Sequence, residues 1–205
     1  RSPDRPRHRP PAKALVKKGF IKIEPHRFDP ESLSFEGLPQ VKQIALNNAQ
    51  LQAIADINNA FGTFNVNLLY GITGSGKTEV YMELIKRYLA ADKTVIFLIP
   101  EIALTPQMVD RFQSNFGQIL AIQHSQLTEK DRLIQWQKIK SEEKRIVIGA
   151  RSAVFAPLPN LGLIIVDEEH EGTYKQENAP RYQGRDLAIK RAQLQNAQVI
   201  LGSAT

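Results

Sequence analysis

"NVNLLYGITGSGKTEVYMELIKRYLAA", residues 65–91, decides the fold. An apolar run leads into a glycine-rich turn. The turn opens directly into a stretch whose apolar residues recur at helical spacing. Gly71 to Thr78 fills every fixed position of the pattern G-x-x-x-x-G-K-[ST], and the strand–loop–helix setting is the one that pattern requires. Glycines let backbone N–H groups turn inward around a phosphate, and a helix starting near Lys77 adds its positive dipole end. The loop of Gly71, Thr73, Gly74, Ser75 and Gly76 is expected to cradle the phosphates of ATP. Lys77 is expected to reach the β- and γ-phosphates, and the Thr78 hydroxyl to bind Mg²⁺.

Outward from this loop, short apolar runs alternate with amphipathic stretches. The runs are "FNVNLLYG", "TVIFLIP", "ILAIQHS", "RIVIGA", "LGLIIVDEE" and "AQVILGSAT". Between them lie "KTEVYMELIKRYLAA", "LTPQMVDRFQSNF", "TEKDRLIQWQKIK" and "GRDLAIKRAQLQ". Such alternation predicts an α/β fold, a parallel sheet with helices on both faces. The runs are nearly all apolar, as strands covered on both sides should be. Upstream, "NNAQLQAIADINNAF" (47–61) reads as a helix capped by Asn47 or Asn48. Trp136 falls at helical spacing in "RLIQWQKI", which predicts a core or helix-packing role.

A phosphate loop needs a carboxylate for its metal. "LGLIIVDEEH" (161–170) offers one at the end of a buried strand, and ligands gather at the carboxyl ends of strands in open parallel sheets. Asp167 is placed to bind Mg²⁺. Glu168 can polarise an attacking water as a general base. With Lys77 these carboxylates form the expected catalytic set, and nucleotide hydrolysis is the leading function.

The D-E-x-H form of residues 167–170 resembles motif II of the superfamily 2 helicases. "PEIALTPQ" (100–107), "GARSAVFAP" (149–157) and "GSAT" (202–205) resemble their motifs Ia, Ib and III, and "LNNAQLQAI" (46–54) resembles the adenine-reading motif, with Gln50 as reader. Together with "HSQLTEKDRLIQW" and the long run from Val147 to Ala192, these segments are similar to the PriA family of primosomal replication-restart helicases. The family often has histidine and alanine where Gln183 and Gly184 stand. The resemblance implies a RecA-like P-loop lobe, the first of two, in an ATP-dependent 3′-to-5′ DNA helicase. Such an enzyme unwinds DNA at stalled forks and starts primosome assembly. It implies fork and single-stranded DNA, other primosome proteins and single-stranded DNA-binding protein as partners, and a monomer. A zinc site is implied for the second lobe and none for this segment. Since the far lobe carries arginines for the transferring phosphate, residues 1–205 alone are expected to be a poor ATPase.

"TYKQENAPRYQGR" (173–185) interleaves tyrosines with cations. Aromatics can stack on bases while cations meet phosphates. The alternative is a solvated loop with its tyrosines tucked onto the core. The resemblance favours function: Tyr174, Lys175, Arg181 and Tyr182 are expected to bind DNA or couple it to ATP. Thr105 and Ser152 are expected to touch the phosphate backbone, a role compatible with helix capping. His170 is expected to couple the nucleotide site to motif III. No second histidine sits at ligand spacing, which argues against a metal ligand.

Bulk composition agrees. The chain has 205 residues, 42% hydrophobic and 23% charged, and a formal net charge of +6. The charge fits an anionic partner. There are no cysteines, which suits a reducing cytoplasm and excludes a thiolate zinc site here. The apolar runs are too short to span a bilayer, and "RSPDRPRHRPP" lacks the apolar stretch of a signal peptide. Four prolines and four arginines in those eleven residues predict an extended arm. "AKALVKKGFIKIE" (12–24) resembles the end of the family's winged-helix domain. The predicted organisation is residues 1–35 as arm, winged-helix tail and linker, and residues 36–205 as the nucleotide-binding lobe. Two other functions compete: a nucleotide-dependent DNA-binding module, or a DNA translocase without strand separation, and a small-molecule P-loop kinase. A second acid beside Asp167 disfavours the kinase, because it favours attack by water.

Overall fold

Six strands with few polar residues form one parallel sheet. The computed structural model describes residues 45–125 and 127–204, so the arm, winged-helix tail and linker expected over 1–35 lie outside the described residues. In chain order the strands are β1 (Asn65–Tyr70), β2 (Thr94–Leu98), β3 (Leu120–Gln123), β4 (Ile146–Gly149), β5 (Leu161–Val166) and, after a short antiparallel ribbon of β6 (Lys175–Gln176) and β7 (Tyr182–Gln183), β8 (Gln198–Ser203). Across the sheet they run β1-β8-β5-β2-β4-β3. Every neighbouring pair is parallel. All six predicted strands are present, and the RecA-like α/β class is the observed one.

Crossover helices make the parallel order possible. After α1 (Asn48–Asn58), which precedes β1, they are α2 (Lys77–Ala90), α3 (Pro106–Phe116), α4 (Glu129–Lys140) and α5 (Gly184–Gln195). Their starts follow the sequence. Asn47 caps α1 in a capping box with Gln50, Thr105 caps α3 ahead of Pro106, and Thr128 caps α4, each meeting backbone N–H groups a new helix leaves unpaired.

Alternation along β2 shows both faces of the sheet to be covered. Ile96 and Leu98 join Ile139 of α4 and Ala188 and Ala192 of α5 in one buried cluster. Between them, Phe97 points the other way, 5.5 Å from the Tyr81 ring of α2 and 5.3 Å from the Phe112 ring of α3. Such aromatic pairs add about 0.5–1.5 kcal/mol beyond the area they bury. Buried hydrogen bonds pin α1 to the other elements. Gln198 donates to the Ile57 carbonyl at 2.7 Å and accepts from the Tyr88 hydroxyl. Burial pushes that phenol up to about 12.

One strand departs from expectation. β1 is not covered on both sides: Leu68 and Tyr70 are 63% and 65% exposed. It is one of the two edge strands, opposite β3, and pairs only with β8 among the described residues. Its alternation of exposed and half-buried positions is that of a one-sided strand.

Candidate functional site

The glycine-rich loop joins β1 to α2 and turns at Ser75, whose N–H donates to the Ile72 carbonyl at 3.0 Å. Gly74 and Gly76 have φ of +81° and +85°, a region that costs other residues but not glycine. Gly76 is the N-cap of α2 and provides no side-chain cap. Helix N–H groups there are left for a ligand. Lys77 is only 9% exposed at its side chain. Its ammonium donates to the Gly71 carbonyl at 2.5 Å, so it folds back over the loop whose phosphates it is meant to meet. Thr78 follows in the first turn of α2.

The carboxylates arrive from β5, two strands away in the sheet. The Asp167 N–H donates to the Leu98 carbonyl at 2.9 Å, and the Glu169 N–H to the Gly202 carbonyl at 2.8 Å. Glu168 lies between them with φ of +46°, a backbone strain that persists only where neighbours over-determine it. Its carboxylate stands 3.6 Å from Lys77 Nζ. The acidic turn after β5 and the lysine of the glycine-rich loop therefore come together.

Asp167 is held by two tyrosines. The Tyr81 hydroxyl, from the second turn of α2, donates to Asp167 Oδ1 at 2.9 Å. The Tyr174 hydroxyl donates to the Asp167 carbonyl at 2.6 Å and to the Leu98 carbonyl at 3.1 Å. Burial, opposed by the Tyr81 hydrogen bond and reinforced by Glu168, leaves the Asp167 carboxyl above its ordinary value. Burial also pushes both phenols far up, with the Asp167 charge adding to it. A desolvated carboxylate beside a second carboxylate suits a cation, and Mg²⁺ fits the donor set of Asp167 and Thr78. Gly202 permits this arrangement: a Cβ there would strike the Tyr81 hydroxyl and lie 2.8 Å from Asp167 Oδ1. Tyr81 and Gly202 escaped the sequence reading. The signal for Tyr81 was its spacing, three residues beyond Thr78 and so on the same face of α2.

Two further predicted residues reach this site. His170 Nδ1 lies 3.5 Å from Ser203 Oγ, and its Nε2 lies 3.8 Å from Glu168, so the ring stands between the D-E-x-H turn and the end of β8. Gln50 donates to the Gly76 carbonyl at 3.2 Å while its amide oxygen accepts from Asn47 N–H at 2.9 Å. It thus ties α1 to the phosphate loop.

The expected DNA-side residues divide. Ser152, Lys175 and Arg181 are exposed and Tyr182 is half-buried. Thr105 is exposed and accepts the Met108 N–H at 3.3 Å, the capping role. Tyr174 must be corrected as a stacking residue. It is 1% exposed, because both its ring and its hydroxyl are spent beneath the Asp167 backbone. Arg185 is occupied by Glu169 at 2.8 Å and Asp186 at 3.1 Å. Trp136 also departs from expectation: it is 43% exposed, with Lys140 Nζ 4.9 Å above its ring, while its neighbour Gln135 turns inward.

This architecture, a six-stranded parallel sheet with a glycine-rich loop and a D-E-x-H turn at its carboxyl edge, is that of a RecA-like P-loop lobe. A family model described as "Type III restriction enzyme, res subunit" matches residues 43–205, and the chain belongs to that family. Replication restart protein PriA of Bacillus subtilis is 44% identical over 195 residues, which cover 94% of this chain and 24% of that protein. PriA of Haemophilus influenzae is 48% identical over 163 residues, covering 80% of this chain and 22% of that one. The likeness to the primosomal replication-restart family read from the motifs is thus borne out. The chain spans about a quarter of the length of these relatives. RecG in a structure bound to a three-way DNA junction shares the fold, with a TM-score of 0.58 and 23% identity over 80% of this chain and 21% of RecG.

Proposed function

We propose that this chain is the ATP-binding lobe of a 3′-to-5′ DNA helicase that unwinds DNA at stalled forks and starts primosome assembly in replication restart. The observation that carries this is the convergence of Lys77 and Glu168, 3.6 Å apart, on a phosphate loop built from positive-φ glycines. Gly71, Thr73, Gly74, Ser75 and Gly76 hold the phosphates through their backbone, and Gln50 reads the adenine. Thr78 and Asp167 hold Mg²⁺, which when bound neutralises charge on the phosphates. Glu168 takes the proton of the attacking water, and the products are ADP and phosphate. Thr105, Ser152, Lys175, Arg181 and Tyr182 face DNA, His170 and Tyr174 couple the two sites, and residues 1–35 form an arm and winged-helix tail. The similarity to PriA supports fork and single-stranded DNA, primosome proteins and single-stranded DNA-binding protein as partners. No helix among the described residues is long and apolar enough to cross a membrane, and a monomer in the cytoplasm is the proposed setting.

The test is steady-state ATP hydrolysis, with and without single-stranded DNA, by the full-length protein that contains this segment, and strand separation by it on a forked duplex. The reading expects hydrolysis that DNA stimulates and that Lys77→Ala removes. Turnover in that variant equal to wild type would overturn it. Hydrolysis and DNA binding without strand separation would favour a translocase.

A further inference from the structure

The second turn of α2 carries a residue that the phosphate-loop pattern does not call for. Tyr81 follows Thr78 by three positions and Lys77 by four, so the three share one face of the helix. It is fully buried, and its ring lies 5.5 Å from that of Phe97 in β2. A buried tyrosine needs a partner for its hydroxyl. Here the acceptor is Oδ1 of Asp167, at 2.9 Å. A phenylalanine would fill almost the same volume and need no acceptor, so the hydroxyl calls for an explanation of its own.

The same oxygen is closed in from the β8 side, where a Cβ on Gly202 would lie 2.8 Å from it. Oδ1 is thus walled between a phenol and a strand backbone. Burial, with the Asp167 charge adding to it, keeps the phenol protonated, so the hydroxyl goes on donating while the carboxylate is ionised. What Asp167 has left for a cation is at most its second oxygen. Divalent cations differ in how they take such a group. Ca²⁺ gathers roughly six to eight oxygens and often takes both oxygens of one carboxylate, whereas Mg²⁺ demands near-octahedral geometry and keeps several waters beside one or two carboxylates and the substrate phosphates. A carboxylate limited to one oxygen therefore deprives Ca²⁺ of a ligand and Mg²⁺ of none.

We propose that Tyr81 is a positioning residue that sets the metal preference of the nucleotide site: by holding Asp167 Oδ1 it presents the carboxylate to a cation through one oxygen, which suits Mg²⁺ and penalises Ca²⁺. The inference rests on the proposed nucleotide reading and deepens it. Neighbouring groups do not supply this selection. The Lys77 ammonium, set between the Gly71 carbonyl and Glu168, acts as a point charge on both ions alike, and the Thr78 hydroxyl offers one oxygen to either. A tyrosine that served packing alone would support the fold without distinguishing one ion from the other, and the two roles part in the metal dependence of nucleotide binding.

The test uses the full-length protein that contains this segment. Calorimetry measures ADP affinity with saturating Mg²⁺, with saturating Ca²⁺ and with chelator, in wild type and in Tyr81→Phe. In chelator the variant should bind ADP as wild type does. With Mg²⁺ its affinity should fall by about 10-fold, the low end of what a metal loses when the partner of its ligand is removed. With Ca²⁺ it should fall less, so the preference for Mg²⁺ narrows. An equal change in all three conditions, or a Mg²⁺-to-Ca²⁺ ratio unchanged from wild type, overturns the proposal and leaves Tyr81 a packing residue. Wild type alone decides the matter if the variant does not fold. Infrared spectra with Ca²⁺ and ADP, taken as wild type minus Asp167→Asn, report the two carboxylate stretching bands. Their separation is wide when one oxygen meets the ion and narrow when both do. A wide separation is expected, and a narrow one overturns the proposal. Wild type that binds no ADP in any condition defeats the nucleotide reading and this inference with it, whereas Mg²⁺·ADP binding with an unaltered ion ratio in Tyr81→Phe defeats the inference alone.

Discussion

The two ends of the sheet's carboxyl edge are built in different ways. At the β1, β8 and β5 end, the phosphate loop presents backbone. Gly74 and Gly76 adopt positive φ, Gly76 leaves α2 without a side-chain cap, and the N–H groups of Asp167, Glu169 and Glu171 each donate to a backbone carbonyl, locking the acidic turn. At the β2, β4 and β3 end, a cleft of about 610 Å³ presents side chains, from segments as far apart in sequence as Glu101 and Tyr182. Backbone suits phosphate, whose charge and shape are always the same. Side-chain planes suit bases, which differ in edges but share a stacking face. Between the two ends stands Tyr174, buried beneath one site and lining the other.

The largest effect belongs to the nucleotide end. Glu168→Gln keeps Asp167, Thr78 and the loop but removes the base. Binding of Mg²⁺·ATP should survive, and hydrolysis should fall by about 10²-fold or more. Calorimetry and phosphate release measure the two separately. Equal loss of both would make Glu168 a ligand, and would leave the positive φ at that position as a structural feature.

The same contrast explains what the sequence disclosed. The glycine-rich loop is contiguous, so the strand, turn and helix around Gly71 to Thr78 could be read directly. Asp167 and Glu168 followed because β5 is a continuous apolar run that ends in acids. All six strands and the helices that follow them came from periodicity. Contacts between distant segments were illegible. Tyr81, Gly202 and Tyr174 meet around Asp167 from three elements, and no spacing rule joins positions 81 and 202. Trp136 failed for a related reason: α4 buries Gln135 and Ile139, a narrow seam that leaves its largest apolar residue outward. The exposure of β1 depended on sheet order, which alternation of elements does not specify.

The link between the ends can be broken next. Tyr174→Ala empties a site that is 1% exposed, and loss of a buried aromatic ring costs about 3–5 kcal/mol. Tyr174→Phe keeps the ring and strips the hydroxyl from the Leu98 and Asp167 carbonyls, which should cost about 1–3 kcal/mol. Urea denaturation should rank the variants in that order. A Tyr174→Ala chain as stable as wild type would mean the loop moves freely and transmits nothing.

A smaller effect sharpens the nucleotide end. Gly202→Ala places a methyl against the Tyr81 hydroxyl and near Asp167 Oδ1. Overpacking of this kind costs about 1–3 kcal/mol. Tyr81→Phe removes the atom struck, so the double variant should lose less than the sum of the two single losses, with a coupling of about 0.5 kcal/mol or more. Strict additivity would show that β8 and α2 yield independently, and that Gly202 is not there to admit the Tyr81–Asp167 hydrogen bond.

The smallest effect has the opposite sign. Asp167 is desolvated and faces Glu168, and its folded carboxyl sits above the ordinary value. A raised acid binds protons more readily folded than unfolded. Its contribution to stability is therefore full below the unfolded pKa and is lost as pH rises through the folded one. Near neutral pH the ionised group burdens the fold, and a bound cation adds to the partial relief given by the Tyr81 hydroxyl and the Lys77 ammonium. Asp167→Asn keeps the size and still accepts from the Tyr81 hydroxyl, but carries no charge. Without ligand this variant should melt higher than wild type, by about 2 °C for each kcal/mol regained in a chain of this size. With saturating Mg²⁺·ADP the order should reverse, because only the wild type gains the binding energy of the metal. Melting curves at pH 7 with and without Mg²⁺·ADP read both halves. A variant that melts lower in both conditions would show that the Asp167 charge supports the fold, and that the nucleotide end, like the cleft, is held by side-chain packing more than by its backbone.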